Sequence, residues 1–121
     1  MSSDLRHHLG RVGEDVAAAH MERLGYVVVA RNHRTRFGEL DLVCFGDGTL
    51  VFVEVKTRRG QGSPWDALGA QKQGRVRRMA ASYLAEVADR PLADELRFDA
   101  IGVVFDARGR MVRLDHVEAA F

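Results

Sequence analysis

Apolar residues recur at helical spacing in the first part of the chain. Beginning at Leu9, they return every three or four positions at Val12, Val16 and Leu24, with small alanines between them. This spacing predicts an amphipathic helix that ends at Gly25. Residues 1–8 lack the pattern, so we expect a flexible tail over residues 1–8 and a single domain over residues 9–121.

A different periodicity follows. Residues 26–30 form a short run rich in β-branched side chains, which predicts a buried strand. Residues 31–36 (RNHRTR) are polar and predict a connection between strands. Residues 39–45 and 50–57 each alternate along their length, with Leu40, Leu42 and Cys44 expected on one face of the first strand. The turn signal Gly46-Asp47-Gly48 between the two runs predicts a β-hairpin.

The pattern in the second half of the chain predicts a helix followed by one or two strands. Residues 70–87 carry an apolar stripe at helical spacing, and residues 96–105 are apolar with little alternation, which predicts a strand buried on both faces. Residues 111–114 predict a short edge strand. The order of helix, three strands, helix and one or two strands indicates an α/β domain with a mixed central sheet flanked by helices.

Composition narrows the class of protein. The chain has 121 residues, 46% of them hydrophobic and 29% charged, which is typical of one soluble globular domain. Its single cysteine, Cys44, excludes an internal disulfide and a cysteine-built zinc site. We find no long apolar run and no secretory signal, so we expect a cytoplasmic protein with no membrane association.

The net charge of +1 conceals a basic block. Residues 56–78 contain seven Lys and Arg but one acidic residue, Asp66. A solvated helix face usually mixes both signs, and attraction to phosphate is one explanation for the excess. Simple solvation of the helix by Arg75, Arg77 and Arg78 is the other.

The predicted hairpin gathers charged side chains on one face. With a two-residue turn at Asp47-Gly48, Asp41 lies opposite Glu54 and Glu39 lies opposite Lys56. A three-residue loop would shift the register by one and separate the acids. Two ionised carboxylates at ~5 Å repel by about 3 kcal/mol at an effective dielectric of ~20. A shared proton or a divalent cation would relieve that repulsion, and oxygen ligands favour Mg²⁺ or Mn²⁺.

A plainer interpretation of the same residues is an exposed sheet face. In that case Glu39 and Lys56 form an ion pair, and Asp41 and Glu54 are merely hydrated. The apolar flanks of both acids and the neighbouring basic block favour the functional interpretation.

The stretch GELDLVCFGDGTLVFVEVKTR resembles the signature of the YraN-like family of small bacterial proteins. The resemblance extends over about residues 9–106, through Gly13-Glu14, Arg31-Asn32 and Lys72 among others. That family is similar to Holliday-junction resolvases and restriction-endonuclease-like PD-(D/E)xK nucleases. The resemblance therefore implies a restriction-endonuclease-like core (α-β-β-β-α-β), a single nuclease-like domain and a possible homodimer, for which Val112, Leu114 and Phe121 offer an apolar C-terminal end.

The resemblance also implies roles for individual residues. Asp41 and Glu54 would be metal ligands for Mg²⁺ or Mn²⁺, and Glu14 would complete the metal site from the first helix. Lys56 would activate the attacking water or stabilise charge on the phosphate, and Lys72 would face the same pocket. Leu40 stands where proline often precedes the aspartate, which costs little because proline contributes no ligand.

Basic and aromatic residues around this site are candidates for binding DNA. Backbone contacts bind without reading sequence, so we expect recognition of branched or otherwise structured DNA. Phe37 could stack on a base, as could Trp65, for which packing is an equally good interpretation. The basic candidates for contacting phosphates are Arg34, Arg36, Arg58, Arg59, Lys72 and Arg75.

Three functions fit this sequence. The first is a metal-dependent nuclease acting on DNA. The second is a nucleic-acid-binding module of the same fold that performs no chemistry. The third is an assembly partner within a DNA-processing complex, which neither binds nor cleaves DNA alone.

Overall fold

Seven elements follow one another in the order helix, three strands, helix, two strands. The computed structural model describes residues 3–60, 63, 65 and 69–121, and this order confirms the predicted α/β class. The elements are α1 (Ser3–Arg23), β1 (Val27–Thr35), β2 (Gly38–Gly46), β3 (Thr49–Arg59), α2 (Ala70–Glu86), β4 (Glu95–Phe105) and β5 (Met111–Val117).

The five strands form one mixed sheet in the order β1-β2-β3-β4-β5. Neighbouring strands are antiparallel except for β3 and β4, which run parallel from Thr49 opposite Glu95 to Arg59 opposite Phe105. Parallel neighbours need a crossover connection, and α2 provides it. β3 therefore lies at the centre of the sheet, with paired strands on both sides.

The two helices cover opposite faces of the sheet. Along β3, Val51, Val53 and Val55 pack into the core beneath α1, while Leu50 and Phe52 pack into the core beneath α2. This strict alternation is the pattern of a strand buried on both faces. β4 is buried in the same way from Asp99 onward, which confirms the predicted burial towards the end of this strand, whereas Leu96 is 49% exposed.

Helix α1 begins earlier than the sequence pattern indicates. Residues 3–8, which were expected to lie in a flexible tail, form the first turns of α1. Leu5 packs against the core beneath α1 one turn before the buried Leu9, and Asp4 lies in the first turn, where a negative charge stabilises a helix. Leu5 is one apolar residue ahead of the repeating pattern, which is too little to appear as periodicity.

Strand β1 is also longer than predicted. The polar segment expected to connect two strands continues β1 as far as Thr35, which pairs with Gly38. β1 is an edge strand, and an edge strand can carry polar side chains because one side of it faces solvent. For the same reason the predicted burial of residues 26–30 is wrong, since Val27 is 62% exposed.

The C-terminal strand β5 is the other edge of the sheet. It extends to Val117, beyond the predicted residues 111–114. Leu114 and Phe121 pack against the two cores, whereas Met111, Val112 and Val117 are exposed. Neither helix in the described part of the chain is both long enough and apolar enough to cross a membrane.

Helix α1 lies against the sheet at Gly13. A Cβ atom on Gly13 would stand 2.2 Å from Cγ2 of Thr57, far inside van der Waals contact, whereas a Cβ on Gly10 of the same helix would meet nothing within 4 Å. The small residue at position 13 therefore sets how closely Glu14 approaches the sheet.

We expect Gly13→Ala to lower the free energy of unfolding by about 1–3 kcal/mol, because the helix must move away from Thr57. The matched variant Gly10→Ala should raise it by about 0.5–1 kcal/mol through helix propensity. Urea denaturation of both variants checks this, and a stabilising Gly13→Ala would contradict the close approach.

Candidate functional site

The hairpin of β2 and β3 has the register expected from the sequence. Asp47 and Gly48 have φ values of 51° and 75°, which is the positive-φ pair that a two-residue type I′ turn requires. Gly46 pairs with Thr49, and the ladder continues to Leu42 opposite Val53. The next residues along the two strands are Asp41 and Glu54.

The regular pairing of β2 with β3 stops where Asp41 begins. Oδ2 of Asp41 accepts a hydrogen bond from the backbone amide of Val55 at 2.8 Å, so a side chain takes the place of a backbone acceptor. Alternation breaks at the same point, because Leu40 packs beneath α2 while Leu42 packs beneath α1. The prediction that Leu40 shares a face with Leu42 and Cys44 is therefore wrong.

Glu54 is a buried carboxylate with two ammonium partners. It is 3% exposed. Its Oε1 atom lies 3.1 Å from Nζ of Lys56, two residues along β3, and 3.2 Å from Nζ of Lys72 on α2. Lys72 thus lies at the position expected for it, beside the strand acids, and the core beneath α2 becomes polar at this end.

Asp41 carries an unfavourable negative charge. The pKa of Asp41 is raised to about 7. Burial is the largest cause, and repulsion by the charge of Glu54 is the second. The bond from the Val55 amide and the charge of Lys56 act in the opposite direction, and Glu14 adds further repulsion. Near neutral pH this group therefore exchanges readily between its charged and neutral forms, and a nearby cation would favour the charged form.

Glu14 approaches the same place from α1. Both of its carboxylate oxygens lie 3.2 Å from Nδ2 of Asn32, a β1 residue with a φ of 50°. The neighbours of Asn32 pair with Leu42 and Leu40, so Asn32 lies beside Asp41. The signal for Asn32 in the sequence is its place in the Arg31-Asn32 motif, but its contact with Glu14 depends on tertiary structure.

Glu39 does not face Lys56 as the register suggested. The β2–β3 ladder ends before it, and Glu39 instead forms an ion pair with Arg34, its cross-strand partner on β1, at 3.3 Å. The interpretation of this face as an exposed Glu39–Lys56 pair with hydrated acids is therefore wrong, because Glu54 is buried and paired with two lysines.

A cationic cleft opens beside Glu54. It has a volume of about 550 Å³ and lies between the end of β3 and the first turns of α2. Arg78 belongs to this cleft although its role was not assigned from the sequence, where only the basic block marked it. The residues that line the cleft are Lys56, Gly69, Gln71, Lys72, Arg75 and Arg78.

The other basic candidates lie elsewhere. Arg36 stands over the ring of Phe37 at the β1–β2 turn, with its guanidinium carbon 4.9 Å from the ring centroid. Arg58 and Arg59 line a separate cavity with Leu9 and Phe105, and Arg59 donates a hydrogen bond to the carbonyl of Ala107. Arg59 thus joins β3 to the β4–β5 turn and does not line the cleft.

The acids at this site have the chemistry of a hard-cation site. Carboxylate oxygens suit Mg²⁺ or Mn²⁺, and the raised pKa of Asp41 shows negative charge that a cation would compensate. Within the described ranges of the chain, no three His, Cys, Asp or Glu side chains are grouped closely enough to hold a metal ion. Mg²⁺ is often bound by one or two carboxylates and completed by water and substrate phosphate, so Asp41 and Glu54 fit such a site.

A second polar cluster lies away from these acids, around Asp99. This side chain is fully buried and accepts two hydrogen bonds from Arg97 and one from the Ala119 amide, while His116 contacts it at 2.8 Å. Burial alone would raise the pKa of Asp99, but these bonds outweigh it and hold the pKa below its usual value. His116 also contacts His20 of α1 at 3.0 Å. Asp99 is therefore paired with Arg97, two residues before it on β4, whereas Lys72 pairs with Glu54.

Comparison with known proteins places relatives over nearly the whole chain. A family model described as "Uncharacterised protein family UPF0102" matches residues 13–103. A UPF0102 protein of Pelotomaculum thermopropionicum is 43% identical over 98% of this chain and 99% of its own length. UPF0102 proteins of Parafrankia sp. and Syntrophotalea carbinolica are 46% and 48% identical over 93% and 96% of this chain, covering 95% and 93% of their own lengths.

We expect Asp41→Asn to stabilise the metal-free protein at pH 8 and to have no such effect at pH 4. Folding raises the pKa of Asp41 from 3.8 to about 7, so the stability that depends on its protonated form is fully present below pH 4. That stability is lost as the pH rises through 7, because the carboxyl group must then ionise where its charge is unfavourable. The asparagine removes that loss, by on the order of 4 kcal/mol, and its carbonyl oxygen can still accept a hydrogen bond from the Val55 amide.

Thermal melts in a chelating buffer at both pH values measure this difference. Asp106→Asn is the matched control, because its hydrogen bonds with Arg110 and Arg108 lower the pKa of Asp106, so neutralising it should not stabilise at pH 8. A lower melting temperature for Asp41→Asn at pH 8 would mean that the charge of Asp41 is already compensated.

Proposed function

The chain belongs to the uncharacterised protein family UPF0102, and from this membership and the geometry of its acids we propose that it is a metal-dependent nuclease. It hydrolyses phosphodiester bonds of DNA and is selective for branched or otherwise structured DNA. UPF0102 is the YraN-like family, so the family resemblance noted in the sequence is confirmed. The nuclease activity rests on the site.

One observation carries the proposal. Asp41 and Glu54 come from neighbouring strands where the β2–β3 ladder ends, near enough for the charge of Glu54 to raise the pKa of Asp41, and the ammonium of Lys56 lies 3.1 Å from Glu54. Acids are rarely buried against each other without a compensating charge, because the repulsion and the lost hydration both cost free energy. A site that retains such a pair beside a lysine is suited to binding a cation and a phosphate together.

The finer fold assignment belongs to the same proposal. We infer a restriction-endonuclease-like core, supported by the element order and by the parallel β3–β4 pair that α2 connects. Self-association as a homodimer is part of the proposal as well, and the exposed apolar side chains of edge strand β5 support it.

In the proposed reaction, each charged side chain of the site has its own role. Asp41 and Glu54 hold Mg²⁺ or Mn²⁺. Glu14, which comes from α1, adds negative charge that favours a bound cation. The bound ion supplies an activated water and charge stabilisation on the phosphate. Lys56 places a fixed positive charge where negative charge develops on the phosphate oxygens. Lys72 keeps Glu54 oriented and adds positive charge at the mouth of the cleft.

The cleft explains the proposed preference for DNA structure over sequence. Its cations, Lys72, Arg75 and Arg78, can contact phosphates, and phosphate contacts position a strand without identifying its bases. Such binding is attracted by charge and weakens as salt increases.

A second function is favoured by one specific observation. Oxygen Oε1 of Glu54 already has two ammonium partners, Lys56 and Lys72, so its charge is compensated without a metal. The same fold could therefore bind nucleic acid through the cleft and perform no hydrolysis. This binding module would be insensitive to chelators.

Cleavage assays distinguish the two functions. Purified protein is incubated with branched, flapped and linear DNA in Mg²⁺ or Mn²⁺, and we expect Glu54→Gln to reduce cleavage roughly 10²- to 10³-fold by removing charge at the site. Glu39→Gln is the matched control, because this acid lies on the neighbouring strand but pairs with Arg34, and it should cleave like wild type. Equal cleavage by wild type and Glu54→Gln would indicate a contaminating nuclease.

Calorimetry with Mn²⁺ alone tests the metal site without turnover. We expect wild type and Glu39→Ala to bind the ion and Asp41→Ala to lose binding, because a ligand and its charge are both removed. If wild type takes up no ion, while DNA binding is salt-sensitive and unaffected by chelators, the binding module is the better description.

A further inference from the structure

A second cavity continues the cationic cleft along α2. It has a volume of about 430 Å³ and lies against the β1–β2 turn. Arg78 lines both cavities, and Arg36, Phe37 and Ser82 line the second one. The two cavities therefore adjoin at Arg78, between the lysines beside Glu54 and the ring of Phe37, and the acidic Glu86 also lines the second one.

The cations along this surface are evenly spaced. Lys72, Arg75 and Arg78 follow one another at three-residue intervals on α2, which keeps neighbouring side chains on one side of the helix. At 1.5 Å per residue, the distance from Lys72 to Arg78 along the helix axis is about 9 Å. With about 3.4 Å per nucleotide in a stacked strand, this spans about two to three nucleotides.

Hydrogen bonds from the Thr35 side chain fix the backbone of the turn that carries Phe37. The hydroxyl oxygen of Thr35 accepts a hydrogen bond from the Phe37 amide at 3.1 Å and donates one to the Gly38 carbonyl at 2.8 Å. Gly38 in turn lies against Met79 of α2, since a Cβ there would be 3.1 Å from its sulfur. The turn is therefore fixed to the helix that carries the cations.

The surroundings of Phe37 differ from those of the other aromatic ring beside α2. Both rings pack against the core beneath α2. Phe98 has Arg77 over it at 4.9 Å, but it also stacks with Phe52 and contacts Phe121. In the described part of the chain, the aromatic and cationic contacts of Phe37 are with the guanidiniums of Arg36 and Arg78, at 4.9 and 5.8 Å. A half-buried ring with guanidinium groups near it suits an unpaired base, because a base can stack on the ring or on a guanidinium plane.

We propose that Phe37 stacks on an unpaired base of the DNA, beside the Arg78 end of a row of cations that spans about two to three nucleotides from Lys72. This inference rests on the proposed nuclease function and specifies its substrate. The strand that enters the cleft must be single-stranded beside the cut, because a base inside a duplex cannot reach the ring. Flaps, overhangs and the open arms of branched DNA meet that requirement.

Binding measurements in a chelating buffer test the proposal without cleavage. The probe is a labelled duplex that carries a single-stranded tail, and fluorescence anisotropy gives its affinity. We expect Phe37→Ala to weaken binding roughly 5- to 100-fold, and Phe37→Tyr to restore it, because the tyrosine ring can stack as phenylalanine does. Phe37→Leu keeps an apolar side chain and should bind as weakly as Phe37→Ala, which covers the case in which the alanine variant fails to fold.

The salt dependence of binding separates stacking from charge. Phe37→Leu should leave the slope of log affinity against log salt unchanged, because it removes no phosphate contact. Arg78→Ala should reduce the slope by about 0.7, the value for one phosphate contact on a single strand. A fully duplex probe should bind wild type and Phe37→Leu equally.

An abasic scan identifies the stacked base. A series of tails, each lacking the base at one position, is bound by wild type and by Phe37→Leu. We expect a single abasic position to weaken wild-type binding as much as the Phe37→Leu substitution does, and to cause no further loss in that variant. Equal affinities for Phe37→Leu and wild type, or additive losses at every position, would overturn the stacking. If wild type binds none of the probes, both the stacking and the proposed function fail.

Discussion

The replacement of one backbone hydrogen bond by a carboxylate organises this molecule. Asp41 accepts the Val55 amide at the point where β2 and β3 stop pairing, so an acid occupies a position that an ordinary sheet fills with backbone. Glu54 lies on the neighbouring strand at the same level, and the two lysines that approach it come from β3 and α2. The raised pKa of Asp41 is the cost of this arrangement in a protein without a bound cation. Residues that weaken the fold locally in this way are typical of sites selected for chemistry rather than stability.

Local sequence was sufficient for the hairpin because a two-residue turn leaves one register. Asp47 and Gly48 both need positive φ, and few other residue pairs adopt that conformation easily. Once the turn is fixed, alternation places Glu54 and Lys56 on the same face of β3. The helix over residues 70–86 was predictable for a similar reason, since its buried stripe repeats over several turns. The family resemblance added the roles of these residues, which no periodicity could supply.

The sequence could not predict features that depend on contacts between distant segments. The extension of β1 through polar residues follows from its place at the sheet edge, and nothing in residues 31–35 marks that place. The contact of Asn32 with Glu14 joins an edge strand to the first helix. The attachment of Lys72 to Glu54 requires knowing which face α2 covers. Glu39 was misplaced because strict pairing was assumed beyond the residue that ends the ladder.

The polar cluster around Asp99 affects how readily strand β5 unfolds. Strand β5 is an edge strand with mostly exposed side chains, and such a strand would ordinarily fray. Its His116 and the nearby Ala119 amide, however, supply part of the compensation for a carboxylate with no exposed surface. Peeling the strand away would leave that charge short of partners in an apolar interior, which is far costlier than losing the strand's own contacts. Strand β5 is thereby stabilised by its contacts with the buried strand β4. The amide protons of β5 should exchange with solvent at rates close to those of the buried strands.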